Sequence, residues 1–579
     1  MALSRTSITD TFPDSQTATF VEEEPTLSKK SSSPQPVIST LPKSSSPSST
    51  PSIIEAEAEA KRPSSSLRIL LLLFFCLAQF LDVFNVSALF PAVPTISEQL
   101  KMNASESVWI ISAYPLTFAS FLLLSGRLSD IYNPKYSFIA GCASLGLLSL
   151  GAGFTHTKIG LLVIRGISGV GGALTIPSAL NLIVHLYPDE KEQALAISIF
   201  GASGAVGNVC GVIIGALLTQ FAGWRWVFWL GTMIVLPIAL LSIFLIPQRI
   251  GTPSGHQESK PKGLDFIGVA IITAALILFI FGITSGSTIS WGSAHVLAPI
   301  IISVFLGGAF FWYETTIPED NACLPPSIWF YPNFAVLFGV ALIPYAWWAT
   351  TFLIWTEYFQ EVYEWKPIIA AIHFLPIGII AFPAFPLAMY LATRFGFRPV
   401  LLSAFALLII ATPLFTIAGT KNHYWSTLFP AFILGTLGAS ILYANTGIAM
   451  FQTTPSRLAG TVGAIFNSAL QVGAAVAVSA ASSIESNIDA AGKGAGSGGE
   501  GRGSFEGRKD SFWFLFAGVA VTAIATLIFY RAISDKDAEK VKEGPVDVSE
   551  EERGPAEVVA SEKSESERKE DVKPESSSA

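Results

Sequence analysis

Apolar runs of eighteen residues or more recur along this chain from residue 67 to residue 531, and each is about as long as the roughly 20 residues an α-helix needs to cross the hydrocarbon core of a bilayer. Read between polar breaks, they give fourteen candidate spans, at 67–91, 108–128, 136–154, 159–186, 192–219, 225–246, 264–284, 295–315, 333–357, 368–391, 398–418, 424–449, 458–484 and 511–531. The expected fold is therefore an all-α polytopic membrane protein. Composition agrees, with 51% apolar and 13% charged residues against roughly 25% charged in a soluble domain.

The formal charge of -8 does not mark an acidic partner surface, because residues 535 to 579 hold fifteen acids and eight bases and account for -7 of it. Residues 1–66 are rich in Ser, Pro and Thr, and residues 532–579 are acidic. Both lack the apolar content that offsets ordering entropy, so both are expected to be disordered tails. No secretory signal precedes the first apolar run, which is too long for a cleaved segment and is expected to act as its own insertion signal. Cys76, Cys142, Cys210 and Cys323 lie in or beside apolar runs without metal-ligand spacing, which predicts free thiols and no metal site.

An even number of spans places both termini on one side. The connections after spans two, six, ten and twelve carry Arg127 and Lys135, then Arg249, Lys260 and Lys262, then Arg394 and Arg398, then Arg457. The opposite connections mostly hold one base each, such as Lys101, Lys158, Lys366 and Lys421, and the 487–510 loop adds Lys493, Arg502, Arg508 and Lys509 among acids that nearly balance them. The bias predicts cytoplasmic tails. The sequon Asn103-Ala104-Ser105 then falls in the first external loop, either as a glycosylation acceptor or as an Asn too close to the bilayer for modification.

Inside the first run, Gln79, Asp82, Asn85 and Val86 fall at helical spacing, so the polar groups form one stripe that faces other helices rather than lipid. A charge at mid-membrane costs on the order of 2.5–3.5 kcal/mol, and such groups mark ion paths, relays or binding sites. Burial and a nearby cation act on a carboxylate's protonation in opposite senses, so a carboxylate held between them can exchange protons. The alternative is a structural hydrogen bond to a neighbouring helix. Arg165 is the other ionisable group well inside a span and is always charged; its alternative partners are backbone carbonyls. Gly207, Gly211 and Gly215 recur every four residues, a spacing that lets helices approach closely. In the later half Asn445, and Asn467 with Gln471, are candidate cavity groups. Of the aromatic stretch containing Trp347 and Trp348, only Trp355 and Glu357 join them, since tryptophans near span ends more often form an interfacial belt.

Two connections resemble each other. "GRLSDIYNPK" (126–135) and "MYLATRFGFRPV" (389–400) align with Asp130 opposite Thr393, Asn133 opposite Gly396 and Lys135 opposite Arg398, which suggests a duplicated chain with its substrate handled between the halves.

The first of these segments resembles the signature loop of the major facilitator superfamily, Gly-x-Leu-x-Asp-Arg-x-Gly-Arg-Arg/Lys. Gly126, Leu128, Asp130 and Lys135 match; Ile131 and Asn133 replace the Arg and Gly. Three further motifs follow on the expected spans. "LDVFNVSALFPAV" is similar to the first-span motif of the fourteen-span drug:proton antiporters at Leu81, Asp82, Ala88, Leu89 and Pro91, with Phe84 for Thr. "LLVIRGISGVGGAL" resembles the fourth-span motif, with Arg165, Gly169, Gly171 and Gly172. "GNVCGVIIGALL" resembles the fifth-span antiporter motif at Gly207, Gly211 and Gly215, with Val212 for its Pro and Ala216 for its last Gly. Long low-complexity tails around such a core look fungal by analogy.

The resemblance implies two six-helix bundles, at 67–246 and 333–531, joined by a segment at 247–332 that carries a cytoplasmic loop, two inserted spans and a linker. It implies that Arg165 faces the first span's cavity and takes part in proton transfer. The loop from Gly126 through Arg127 and Asp130 to Lys135, with Arg394 and Arg398 in the second half, is expected to hold Asp130 against helix ends and nearby bases and so stabilise one conformation of a transport cycle; the alternative, a positive-inside topology marker, accounts for Arg127 and Lys135 but not for Gly126 or Asp130. The expected activity is proton-coupled export of drugs, toxins or secondary metabolites by a monomer in the plasma membrane, with the vacuolar membrane as the other location. Its partners are then a small molecule, protons and lipid. Uptake or low-affinity passage of a small polar nutrient or an ammonium-like cation is the rival within transport; a transporter-like sensor is the rival outside it. "GISGVGG" lies in a span with no strand before it, which excludes a dinucleotide loop. The sequence carries no Walker motif, Ser/His/Asp set, metal cluster or basic aromatic surface, so neither enzyme activity, nucleic-acid binding nor a cofactor other than the proton gradient is expected.

Overall fold

The computed structural model describes residues 64–102, 104–248, 265–288, 291–318, 322, 324–419, 423–455, 458–494 and 505–531. The expected disordered tails, apart from residues 64–66, lie outside these residues, as do Asn103, Arg249, Lys260, Lys262, Cys323, Lys421, Arg457, Arg502 and the side chain of Lys493. Among the described residues there is no strand, and fourteen helices are long and apolar enough to cross a membrane, one for each expected span.

In chain order these are α1 Ser65–Ser87, α2 Ala104–Ile131, α3 Pro134–Gly153, α4 Lys158–Leu186, α5 Glu190–Phe221, α6 Arg225–Leu245, α7 Phe266–Thr288, α8 Ala294–Glu314, α9 Phe334–Glu361, α10 Leu375–Phe395, α11 Phe397–Thr416, α12 Phe429–Gln452, α13 Ala459–Gly494 and α14 Glu506–Phe529. Short helical turns at Phe90–Ala92 and Val93–Gln99 extend α1, and Pro367–His373 precedes α10.

The helix edges depart from the apolar runs for local reasons. Helix α5 starts two residues before its expected edge because the Asp189 carboxylate accepts the Lys191 and Glu192 N–H groups, both at 3.0 Å, and satisfies donors the helix leaves open. Helix α14 starts at Glu506 rather than 511. Arg508, expected in a loop, is instead 2% exposed and bonded to Glu485 of α13 at 2.8 Å.

The two helices that follow the aligned connections begin alike. The Lys135 ammonium, at the start of α3, donates to the Ile243 and Ile246 carbonyls at 2.7 and 2.6 Å. Arg398, at the start of α11, donates to the Leu527 carbonyl at 2.9 Å. Each cation meets the exposed carbonyls at a helix C-terminus, where the helix dipole favours positive charge. Gly396 takes φ 82°, a left-handed conformation that favours glycine. Its counterpart Asn133 has φ -66° and uses its side chain to accept the Lys135 N–H at 3.0 Å, so no glycine is required there.

Helices α1–α6 pack together through the pairs α2/α4, α3/α4, α1/α5 and α3/α6, and α9–α14 through α9/α13, α11/α12, α10/α12 and α11/α14. The two groups meet along two seams, α2 against α13 and α5 against α10. Helix α7 rests on both α2 and α13, while α8 packs chiefly on α7. Trp109 stacks on Phe281 with ring centres 5.7 Å apart, and the Trp291 indole N–H donates to Ser483 of α13 at 2.9 Å.

The stripe of Gly207, Gly211 and Gly215 lies along α1. A Cβ on Gly207 would stand 2.5 Å from the Phe80 carbonyl oxygen, one on Gly211 1.9 Å from Ser87 Oγ, and one on Gly215 2.1 Å from the Ala88 carbonyl oxygen. Two of these three obstacles are backbone, which cannot rotate away. We expect Gly207→Val to force α1 and α5 apart and cost about 1–3 kcal/mol by overpacking, read as a lower midpoint of thermal unfolding for the purified chain, whereas Gly231→Ala, where a Cβ meets nothing within 4 Å, leaves the midpoint unchanged.

Candidate functional site

The polar stripe of α1 meets α2 and α4 in a buried cluster. Gln79 is 2% and Asp82 6% exposed. Asp82 Oδ1 accepts a short hydrogen bond from the Tyr114 hydroxyl of α2. Arg165 of α4 is 1% exposed; its Nε donates to the Ile110 carbonyl at 3.1 Å, and its Nη1 donates to Asn85 Oδ1 at 3.1 Å and to the Asn85 carbonyl at 3.3 Å. The guanidinium carbon lies 5.1 Å from the centre of the Tyr114 ring.

Asp82 and Arg165 therefore communicate without a direct ion pair. Tyr114 presents its ring to the cation and its hydroxyl to the carboxylate. Cation–π attraction and a charge-assisted hydrogen bond both strengthen when desolvated, so one side chain stabilises two opposite charges. The geometry joins both readings of Arg165, since the guanidinium binds backbone carbonyls and also reaches Asn85 of the α1 stripe.

Glycines of α4 make room for this. A Cβ on Gly172 would lie 2.1 Å from the Tyr114 hydroxyl oxygen and 3.2 Å from Asp82 Oδ1, and one on Gly169 would lie 2.4 Å from the Tyr114 carbonyl oxygen. The glycine run after Arg165 is what lets α4 lie against α2.

Across the seam stands an aromatic group from the second half. Tyr345 of α9 and Tyr443 of α12 stack on one another. Their rings are 5.9 Å apart, and Phe385, Phe466 and Trp348 surround Tyr443 at 5.4, 5.2 and 6.4 Å. Gly201 of α5 faces Tyr443, and Gly204, one turn on, faces the Gln79 amide.

A second polar junction crosses the other seam. The Asp130 carboxylate, at the end of α2, accepts the Gly460 N–H, the Thr461 N–H and the Thr461 hydroxyl, each at 2.7 Å, and the Asn181 side-chain amide of α4 at 2.8 Å. It thus caps α13, placing negative charge at the positive end of the helix dipole. The backbones touch here: a Cβ on Gly126 would lie 2.5 Å from the Gly460 carbonyl oxygen. Arg127 is buried. Thr393, opposite Asp130 in the repeat, merely donates to the Tyr390 carbonyl of its own helix at 2.9 Å, and Arg394 is exposed.

The remaining sequence candidates do not join the Asp82 cluster. Asn445 and Asn467 are buried and donate to the Ile441 and Gly463 carbonyls of their own helices at 3.1 and 2.9 Å; Gln471 and Glu357 are half-buried. Trp355 is fully buried among Phe359, Phe415, Phe505 and Phe512. The expectation of an interfacial belt fails for its neighbours as well: Trp347 is buried and donates to Thr412 at 3.1 Å, and Trp348 stands beside the tyrosine pair. Tyr114, Tyr345, Tyr443, Asn181 and Thr461 escaped the sequence reading. The tyrosines left a trace, in "SAYPLTF", "IPYAWWATT" and "ILYANTG", as aromatic hydroxyls within apolar spans.

A family model described as Major Facilitator Superfamily matches residues 75–478. The chain is similar to a major facilitator superfamily multidrug transporter, mfsC, of Aspergillus fumigatus, with 26% identity over 475 residues, covering 82% of this chain and 89% of that protein. It is similar to puromycin resistance protein pur8 of Streptomyces alboniger, with 28% identity over 419 residues, covering 72% of this chain and 81% of that protein. It is also similar to a low affinity ammonium transporter of Saccharomyces cerevisiae, with 26% identity over 400 residues, covering 67% of this chain and 76% of that protein.

Because hydrogen bonds to a charged group contribute about 1.5–3 kcal/mol each, Asp130→Asn is expected to loosen the α2/α13 junction measurably. With Ala464, packed on Gly126, replaced by Cys as a reporter, maleimide labelling should run about tenfold faster or more in the Asp130→Asn background, since each 1.4 kcal/mol is about a factor of ten. An unchanged rate would mean that the carboxylate does not hold this junction.

Proposed function

This chain belongs to the major facilitator superfamily, and we propose that it exports small organic molecules of the drug, toxin or secondary-metabolite kind by proton-coupled alternating access. The observation that carries the reading is the Asp82–Tyr114–Arg165 cluster buried in the first half, with Gln79 of the same stripe against Gly204 of α5, one turn from the Gly201 that faces Tyr443 of the second half. A transporter of two halves needs a site that both halves touch and a group there whose charge changes with the coupling ion. Asp82 is the group with that chemistry: its neutral form keeps a hydrogen bond with Tyr114, while its ionised form is balanced by Arg165. Proton uptake alters the charge balance at the seam, so the two forms differ in how well they hold a substrate against the tyrosine pair.

The Asp130 cap on α13 supplies the other requirement. It ties the halves together at one end of the α2/α13 seam, and opening that end exposes donors of the α13 N-terminus and separates a charge from a helix dipole. Proton-driven states at Asp82 thus compete against a latch of fixed strength. We place both tails in the cytoplasm, on the side of the Asp130 latch, and the protein in the plasma membrane as a monomer, drawing on the proton gradient and no bound cofactor.

The multidrug and puromycin-resistance relatives support the export direction. Passage of an ammonium-like cation is the second reading, favoured by the ammonium-transporting relative and by Val212 and Ala216 standing in the fifth-span motif, where both are buried. A sensor that transports nothing is the third. Flux of a panel of toxic organic compounds and of methylammonium in proteoliposomes, with and without a proton gradient, separates them. Gradient-driven organic flux supports export, methylammonium flux alone supports the cation reading, and no flux of any compound supports the sensor.

Asp82→Asn is expected to abolish the response of that flux to the proton gradient at normal membrane levels. Tyr114→Phe, which keeps the ring over Arg165 but removes a charge-assisted bond of about 1.5–3 kcal/mol, is expected to slow gradient-driven flux about tenfold. Wild-type gradient dependence in Asp82→Asn would end the proton role of this residue.

A further inference from the structure

Two buried carboxylates at the base of the α7–α8 hairpin take no part in the mechanism above. Asp265 immediately precedes α7 and Glu314 ends α8; they are 9% and 1% exposed. Asp265 Oδ1 accepts the Gly268 N–H at 2.9 Å, which caps α7, and the Tyr313 hydroxyl at 3.2 Å. Glu314 Oε1 accepts the Leu324 N–H at 3.3 Å, tying the hairpin to the linker that leads into α9. Asp265 Oδ2 is buried and has no hydrogen-bond partner, a position that is costly for a carboxylate oxygen unless something positive or protic meets it.

Both side chains converge on one spot. A Cβ on residue 268 would lie 2.0 Å from Asp265 Oδ2 and 3.0 Å from Glu314 Oε1. Those oxygens are thus separated by at most about 5 Å, the span of two ligands each roughly 2.3–2.6 Å from one hard cation. Glycine at 268 leaves free the space that any other side chain would fill.

The geometry points to a binding site for a hard divalent cation, Mg2+ or Ca2+, between Asp265 Oδ2 and Glu314, with the Tyr313 hydroxyl at its edge. Two carboxylates balance the charge of one such ion, and Mg2+ in particular is held by one or two carboxylates while keeping several waters. Among the described residues no group of three or more His, Cys, Asp or Glu side chains gathers, so this ion retains much of its hydration and exchanges readily. Bound there, it closes the hairpin against the linker. Since α7 rests on α2 and α13 of the two halves, the ion sets how firmly the hairpin is seated on the seam.

The test uses the full chain in detergent, stripped with EDTA, and follows thermal unfolding in MgCl2 or CaCl2 against choline chloride at equal ionic strength, together with Mn2+ binding by electron paramagnetic resonance. The divalent salts are expected to raise the unfolding midpoint by several degrees, as any ligand of the folded state does. Asp265→Asn, which preserves the cap on α7, is expected to remove that rise and to lose about one Mn2+ per chain, with the acidic tail giving the same background in both proteins. Gly268→Ala keeps both carboxylates but fills the space, and should lose the same ion; it decides the question if Asp265→Asn fails to fold. The inference is overturned if divalent salts do no more than choline, if both variants keep the wild-type Mn2+ count, or if acidification without divalent ions reproduces the stabilisation, which would assign a proton to the pair.

Discussion

The hydrogen bond from the Tyr114 hydroxyl to Asp82 makes a carboxylate tolerable inside α1. An isolated charge there would cost several kcal/mol, and an ion pair buried against Arg165 would hold both groups in one fixed state. Placing an aromatic ring and its hydroxyl between them keeps the charges balanced at a distance. Helix positions follow from this demand. Gly169 and Gly172 of α4 bring α2 close enough for Tyr114 to reach Asp82, and the glycine stripe of α5 holds α1 on its other side.

The two aligned connections end alike, with Lys135 and Arg398 each closing a helix C-terminus. They diverge where function needs asymmetry. The first half places a carboxylate, Asp130, at its end of the seam, and α13 of the second half offers its N-terminus to receive it. Thr393 instead donates to the Tyr390 carbonyl of its own helix. The seam between α2 and α13 is thus latched electrostatically, whereas α5 and α10 meet through close apolar packing, as where Gly378 faces Val209.

The number of spans was legible because each apolar run must be long enough to cross a bilayer, and the family was legible because its motifs are short local patterns. Asp82, Arg165 and Asp130 stood out for the same reason: a charge in an apolar run is rare. Their partners did not. Tyr114, Tyr345 and Tyr443 are amphipathic residues that suit a lipid interface, a core or a site equally well, and only tertiary packing decides among these. The same ambiguity favoured Trp355 over Trp348, although Trp355 fills an aromatic core and Trp348 lies beside the tyrosine pair. Arg508 was read as a loop charge because its run of polar residues masks the start of α14, where Glu485 makes burial possible.

Asp82 as a carboxyl group that gains and loses a proton inside the folded protein is the central claim, and infrared difference spectroscopy of the full chain in lipid across a pH titration tests it without requiring a known substrate. The account predicts a carboxylic-acid C=O band that titrates, disappears in Asp82→Asn and shifts in frequency in Tyr114→Phe as the hydrogen bond is lost. A titrating band that is identical in Asp82→Asn and wild type would contradict it.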